Sequence, residues 1–160
     1  PITVETCPHY LTIESENIKD GKTIFKCCPP IREKQNKEKL WQGLKDQVID
    51  FIVSDHSPCI PELKLIDQGD LDKAWGGISS LQFSLPLVWT EAASRGFSIN
   101  DLSKLLCEKT ASFVGLGDES SKTKKGKIKP GFDADFVVWD PEEEFEITNE
   151  MILFKNKITN

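Results

Sequence analysis

Residues 48–59 read Val-Ile-Asp-Phe-Ile-Val-Ser-Asp-His-Ser-Pro-Cys, VIDFIVSDHSPC. The first half is almost wholly apolar, the pattern of a strand buried on both faces of a parallel sheet. The second half leaves that strand at its C-terminal end with an acid, an imidazole and a thiol close together: Asp55, His56 and Cys59. A parallel strand needs a crossover from a strand before it. Residues 32–47, REKQNKEKLWQGLKDQ, supply one, an exposed helix with a narrow apolar stripe at Leu40, Trp41 and Leu44. Residues 2–7, ITVETC, alternate apolar and polar side chains and predict an earlier strand ended by Pro8. The fold class read from these pieces is α/β with a parallel sheet.

Working outward, SENIKDGK at 15–22 is a polar turn region, and TIFKCC at 23–28 is a second short extended run stopped by Pro29-Pro30. Residues 60–77 form a long polar loop, a length that in compact domains tends to be functional. Residues 78–96 predict a helix kinked at Pro86 and stopped at Gly96. Ser98 or Asn100 caps the next helix, 99–116, whose Leu102, Leu105, Leu106 and Phe113 share a face. From 126 to 141 the pattern becomes turn-rich β, with DADFVVWD as a strand between turns. A short strand near 145–148 and a helix start at Thr148 come next. A closed eight-fold β/α barrel takes about 250 residues. A chain of 160 residues holds two or three of its units, so it is either an open sheet or a piece of a barrel.

The formal net charge is −6 and the pI is near 5.0, which argues against nonspecific nucleic-acid binding carried by Lys and Arg on phosphates. The basic run KTKKGK at 122–127 is short and reads as a solvated loop. No apolar run reaches the roughly 18–20 residues a membrane span needs. The five cysteines, Cys7, Cys27, Cys28, Cys59 and Cys107, are odd in number and lack the spacing of a secreted scaffold. They imply free thiols in a reducing intracellular compartment. The chain opens on Pro1 and runs at once into a strand, so a preceding segment is expected.

Asp55 is the first candidate for chemistry. A carboxylate at the C-terminal end of a buried strand can ligate a metal and act as a general base. The competing reading is a turn or capping Asp. His56 is either a ligand or substrate donor, or an imidazole that orients its neighbour. His9, in CPHYL, is either a residue of the same rim or a structural histidine. A structural zinc cluster from Cys7, His9, Cys27, Cys28, His56 and Cys59 lacks the paired-ligand spacing such sites use. Gly76-Gly77 opens a helix, with backbone N–H groups that can meet a carbonyl or anion, or simply permits a turn.

Taken in order, VETCPHYL (4–11), KCCPPIR (26–32), DFIVSDHSPC (50–59), WGGISSLQ (75–82) and KGKIKPGFDADFVVWDP (125–141) resemble the cyclic amidohydrolases: allantoinases, hydantoinases, dihydropyrimidinases and dihydroorotases. Within that group the allantoinase pattern is the best match. Dihydroorotases usually end the Asp motif in His where this chain has Cys59, and hydantoinases usually have Gln at the place of His9. The resemblance implies the C-terminal part of a (β/α)8 TIM-barrel metal-dependent hydrolase in residues 1–124, about strands six to eight. It implies part of a small β-sandwich domain, truncated, in 125–160.

The activity it implies is hydrolytic opening of the allantoin ring to allantoate, in purine catabolism, at two divalent metals, usually Zn2+. Asp55 would be a metal ligand and the proton carrier. Cys28, which falls where relatives have Ser or Asn, and Gly76 and Gly77 would contact the ureide substrate. His9, His56 and Cys59 would support the pocket. The implied assembly is a homo-oligomer, a tetramer in the family, in the cytoplasm, mitochondrion or peroxisome. The family's H-x-H pair, bridging carboxylated lysine and two later histidines do not occur in this sequence and are expected before Pro1. Isolated, the chain is therefore expected to be inactive. The alternatives are another cyclic amidase, a non-catalytic dihydropyrimidinase-like scaffold, and a thiol-zinc module.

Overall fold

The crossover between two parallel strands is the centre of the chain. In a computed structural model describing residues 2–158, β1 (Glu5–Thr6) pairs in parallel with β2 (Phe51–Ile52). Glu5 lies opposite Phe51 and Thr6 opposite Ile52. Further bonds extend the ladder. The Asp50 N–H donates to the Val4 carbonyl at 2.8 Å and the Val53 N–H to the Thr6 carbonyl at 2.9 Å. The Val4 N–H donates to the Asp50 carboxylate at 2.8 Å. Phe51 and Ile52 are neighbours and so face opposite sides of the sheet. Both are buried, as a strand covered on two faces requires.

Helix α1 (Pro8–Thr12) comes directly after β1, and α2 (Lys34–Lys45) makes the crossover. α2 buries Trp41 and Leu44. The one polar atom of Trp41, Nε1, donates to the Leu11 carbonyl at 2.9 Å, so the ring enters the core with its hydrogen bond satisfied. Lys37 is also buried, and its ammonium reaches Glu14 at 3.1 Å. Leu11, Trp41, Leu44, Ile52, Val88 and Leu102 belong to one apolar cluster. Burying a side chain such as Ile52 there stabilises the fold by roughly 1.5–3 kcal/mol.

Several sequence expectations are corrected. Residues 23–28 form no strand. Thr23–Phe25 is a single 3-10 turn whose amides bond locally, and β1 and β2 pair directly with nothing between them. Inside the long 60–77 loop lies a one-turn helix, α3 (Pro61–Lys64). The helix expected from residue 78 begins later, as α4 (Ser84–Ser94). Residues 76–80 stay extended because Ile78 bridges His56 in parallel and the Gly77 N–H is held by the Lys26 carbonyl, and a turn at 81–83 then leads into the helix. Pro86 therefore falls in the first turn of α4, where its missing N–H has no helical partner to lose, and α4 runs through it unbroken.

α5 (Ile99–Ser103) and α6 (Lys109–Phe113) are joined by one π turn, Lys104–Glu108. Ser98, not Asn100, caps this stretch. Its hydroxyl accepts the Asp101 N–H at 3.2 Å, and the Asp101 carboxylate accepts the Ser98 N–H at 2.9 Å. The wider π turn rotates the helical face beyond it. Leu102 and Leu105 are buried, but Phe113 is 59% exposed, its ring resting against Phe51.

No strand forms among the described residues from 126 onward, against the two expected there. Phe136, Val137 and Val138 are exposed instead. An extended segment needs a sheet edge to satisfy its backbone, and the one ladder among the described residues is β1–β2. At Thr148 the expected helix start is a 3-10 turn, Asn149–Met151. The segment is pinned at points. Trp89 Nε1 donates to the Pro141 carbonyl at 3.0 Å. The Gln82 side-chain amide donates to the Met151 carbonyl at 2.7 Å and accepts the Leu153 N–H at 2.9 Å. In the basic run, Lys125 pairs with Asp133 and Asp135 and Lys127 with Glu108, so acids balance the two lysines. Among the described residues no helix is long and apolar enough to cross a membrane.

Candidate active site

Parallel pairing puts the C-terminal ends of β1 and β2 side by side. Cys7 and His9 leave the first strand there, and Asp55 leaves the second. The Cys7 Sγ, a ring nitrogen of His9 and a carboxylate oxygen of Asp55 all lie within 4.8 Å of one another. Cys7 and His9 are buried and Asp55 is exposed, so the trio runs from the interior to the surface, with its acid accessible to solvent. Asp55 adopts φ of 44°. That left-handed backbone is tolerated by Asp better than by most residues, and it turns the chain sharply after the strand.

The electrostatics arise from burial. Burial lowers the His9 pKa below its usual value, with the Asp55 charge partly opposing, which favours the neutral imidazole. The Cys7 thiol is pushed up to about 12, first by burial and then by Asp55, Glu5 and Cys27. Neither ring nitrogen of His9 has a hydrogen-bond partner among the described residues. Buried polar atoms are nearly always satisfied, so this imidazole lacks a donor or acceptor that the site would supply. Metal–ligand bonds run about 2.0–2.3 Å, and one ion can bridge donors up to about 4.5 Å apart. The three donors, within 4.8 Å of one another, come close to that spacing, so Cys7, His9 and Asp55 together are a set that could hold part of one metal's shell. It does not make a two-metal centre by itself, because no second group of ligating side chains converges among the described residues.

His56 stands outside the trio. Its Nδ1 accepts the Leu81 N–H at 3.3 Å, and its ring rests against Phe154. It ties the SDHSPC turn to the segment before α4, a supporting role. The Ser57 N–H donates to the Ile78 carbonyl at 3.0 Å, and the Ser80 hydroxyl bonds the Ser54 carbonyl, closing the same junction. Cys59 is half-buried, its thiol raised by burial with Lys64 partly opposing. Cys28 is exposed.

Gly76 and Gly77 do not open a helix; they lie in the extended stretch before α4. A Cβ on Gly76 would come 3.0 Å from the Cys28 Sγ, and one on Gly77 would come 2.5 Å from the Ser57 Cβ. Both glycines are there for close approach. The Gly77 N–H is committed to the Lys26 carbonyl at 2.9 Å, which leaves Gly76 as the freer of the two for a backbone contact.

Among the described residues, Cys7, His9 and Asp55 are the one group of three or more metal-ligating side chains that converges. The thiol cluster of Cys27, Cys28, Cys59 and His56 does not assemble. Of the six residues weighed as a zinc cluster, Cys7 and His9 do come together, but with Asp55, and Cys7 was not expected in that company. The signal for it is the pairing itself, since a residue one step past β1 must sit beside one just past β2. A cavity of about 270 Å³ is lined by His9, Phe83 and residues of the 147–152 segment. Asp55 is not among its lining residues.

Comparison with known proteins gives the family. Residues 4–159 match the model of the Amidohydrolase family. The allantoinase of Saccharomyces cerevisiae is 48% identical over 159 residues, 99% of this chain and 33% of the yeast protein. The mitochondrial allantoinase of Aquarana catesbeiana is 61% identical over 117 residues, 73% of this chain and 24% of that protein. The D-hydantoinase of a Thermus species superposes with a TM-score of 0.80 at 27% identity, over 100% of this chain and 34% of that one. The chain thus spans about a third of the length of the curated relatives it matches.

Proposed function

The chain belongs to the amidohydrolase family, and on that premise we propose that it is the C-terminal third of an allantoinase, an enzyme that opens the ring of allantoin by hydrolysis to give allantoate. The observation that carries this is the 48% identity to proteins named allantoinase along 99% of the chain. Similarity to hydantoinases is lower, 27–32%. β1 and β2 would be adjacent strands of the barrel, since they pair directly. Retention of Asp55 at the strand end supports an enzyme over a scaffold.

Two divalent ions, Zn2+ in this reading, would polarise the ring carbonyl and make water a better nucleophile. Asp55 would hold one of them through a carboxylate oxygen. It would then accept the proton of the attacking water and return it to the departing ring nitrogen. His9, neutral and lacking a partner among the described residues, would complete its hydrogen bonding against Asp55 or the same ion. Cys28 and Gly76, in contact with each other, would border the ureide. The complete protein would be a homo-oligomer in a reducing compartment, where the five cysteines of this chain stay free.

The test reassembles the site. This chain, fused to or co-expressed with the remaining two thirds of the yeast relative, is offered allantoin, hydantoin and dihydrouracil. Allantoin should be turned over fastest. Preference for hydantoin or dihydrouracil would replace the reading with that of another cyclic amidase.

A further inference from the structure

Lys64 is a charged side chain that the proposed chemistry does not use. It ends α3 and is 2% exposed. Among the described residues no carboxylate pairs with it. Its ammonium donates instead to three backbone carbonyls: Gly77 at 2.7 Å, Lys26 at 2.9 Å and Trp75 at 3.0 Å. An ammonium has three N–H bonds, and all three are spent. A buried charge is costly unless fully hydrogen-bonded, so a lysine here does something an apolar filler would not.

The three carbonyls locate that task. Lys26 is two residues before Cys28, and Trp75 and Gly77 flank Gly76. The two loops meet where a Cβ on Gly76 would come 3.0 Å from the Cys28 Sγ. The Gly77 N–H crosses the same junction to the Lys26 carbonyl at 2.9 Å. One side chain, from a third segment, thus clamps both loops within two residues of their contact. Each carbonyl gains a charge-assisted bond, stronger than a neutral one.

We propose that Lys64 is a positioning residue that sets the spacing of Cys28 and Gly76, and through it the shape of the substrate pocket. The pocket half of this rests on the allantoinase reading, and the clamp half does not. Two measurements on the 160-residue chain test the clamp. In the unaltered chain, 15N NMR should show a slowly exchanging Lys64 ammonium; a freely exchanging one overturns the clamp. In Lys64→Met, hydrogen exchange at the Gly77 amide should speed up about tenfold or more, while the Val53 amide in the β ladder stays protected. Unchanged exchange at Gly77 overturns it. If Lys64→Met does not fold, the ammonium measurement decides alone.

The pocket half is read in the reassembled enzyme. Lys64→Met should raise KM for allantoin about tenfold, with kcat within about threefold of the parent. A loosened Gly77 amide with KM unchanged overturns the positioning role. Should the parent fail to turn over allantoin, the allantoinase reading fails while the two chain measurements still judge the clamp.

Discussion

Asp55 combines two properties that seldom need the same side chain, a carboxylate at a strand end and a backbone at φ of 44°. Asn tolerates that backbone equally well, so Asp55→Asn removes the proton acceptor and the anionic ligand without straining the turn. In the reassembled enzyme it should lower kcat by about 10²–10⁴-fold, with the fold intact by circular dichroism. Cys7 gives a pH prediction. Its thiol ionises near 12 when folded, against 9.0 ordinarily. Between those values the unfolded chain has released a proton that the folded chain still holds. The stabilisation is complete below about pH 9 and is lost as pH rises toward 12, by roughly 1.4 kcal/mol per pH unit from this group. The urea midpoint of the parent should therefore fall more steeply above pH 9 than that of Cys7→Ala. Asp55 was legible in the sequence because a buried apolar run points at it. Its closeness to Cys7 and His9 was not, because only the pairing of two strands 46 residues apart brings them together.

At the scale of elements, the chain is held by local caps and by close backbone approaches. Ser98→Ala removes the Asp101 N–H acceptor and one side of the capping box, and should cost about 1 kcal/mol in urea unfolding. Gly77→Ala places a Cβ 2.5 Å from that of Ser57. The overlap should cost about 1–3 kcal/mol and loosen the 54–59 turn, seen as faster exchange of the Ser57 amide bonded to Ile78. Local patterns announced α2 and the apolar β2, and narrowed the cap to Ser98 or Asn100. They misplaced the start of α4, since Ile78 and Gly77 bond to residues 22 and 51 positions away. Lys64 was invisible for the same reason: its three acceptors lie 11, 13 and 38 residues distant, and PELK alone reads as a surface turn.

For the whole molecule, the exposed apolar residues are where an allantoinase complement would pack. Ile2, Ile128, Val138 and Leu153 are more than four-fifths exposed. The β-like sequence at 126–141 finds no sheet edge to pair with among the described residues. The purified chain should bind fewer than two tightly held zinc ions by metal analysis and show no ring opening on its own. Two retained ions would contradict the division of ligands argued above. Allantoin turnover should appear only with the complementary two thirds present.

The two-stranded ladder also decides how that complement must arrive. A ring cut in two places has two seams, and β1 and β2 each present one outer edge to a seam. Sealing only one gains half the backbone pairing and leaves the ring open, so assembly should be all-or-none. A complement shortened by a single strand should then give no partial activity, however tightly it holds one side.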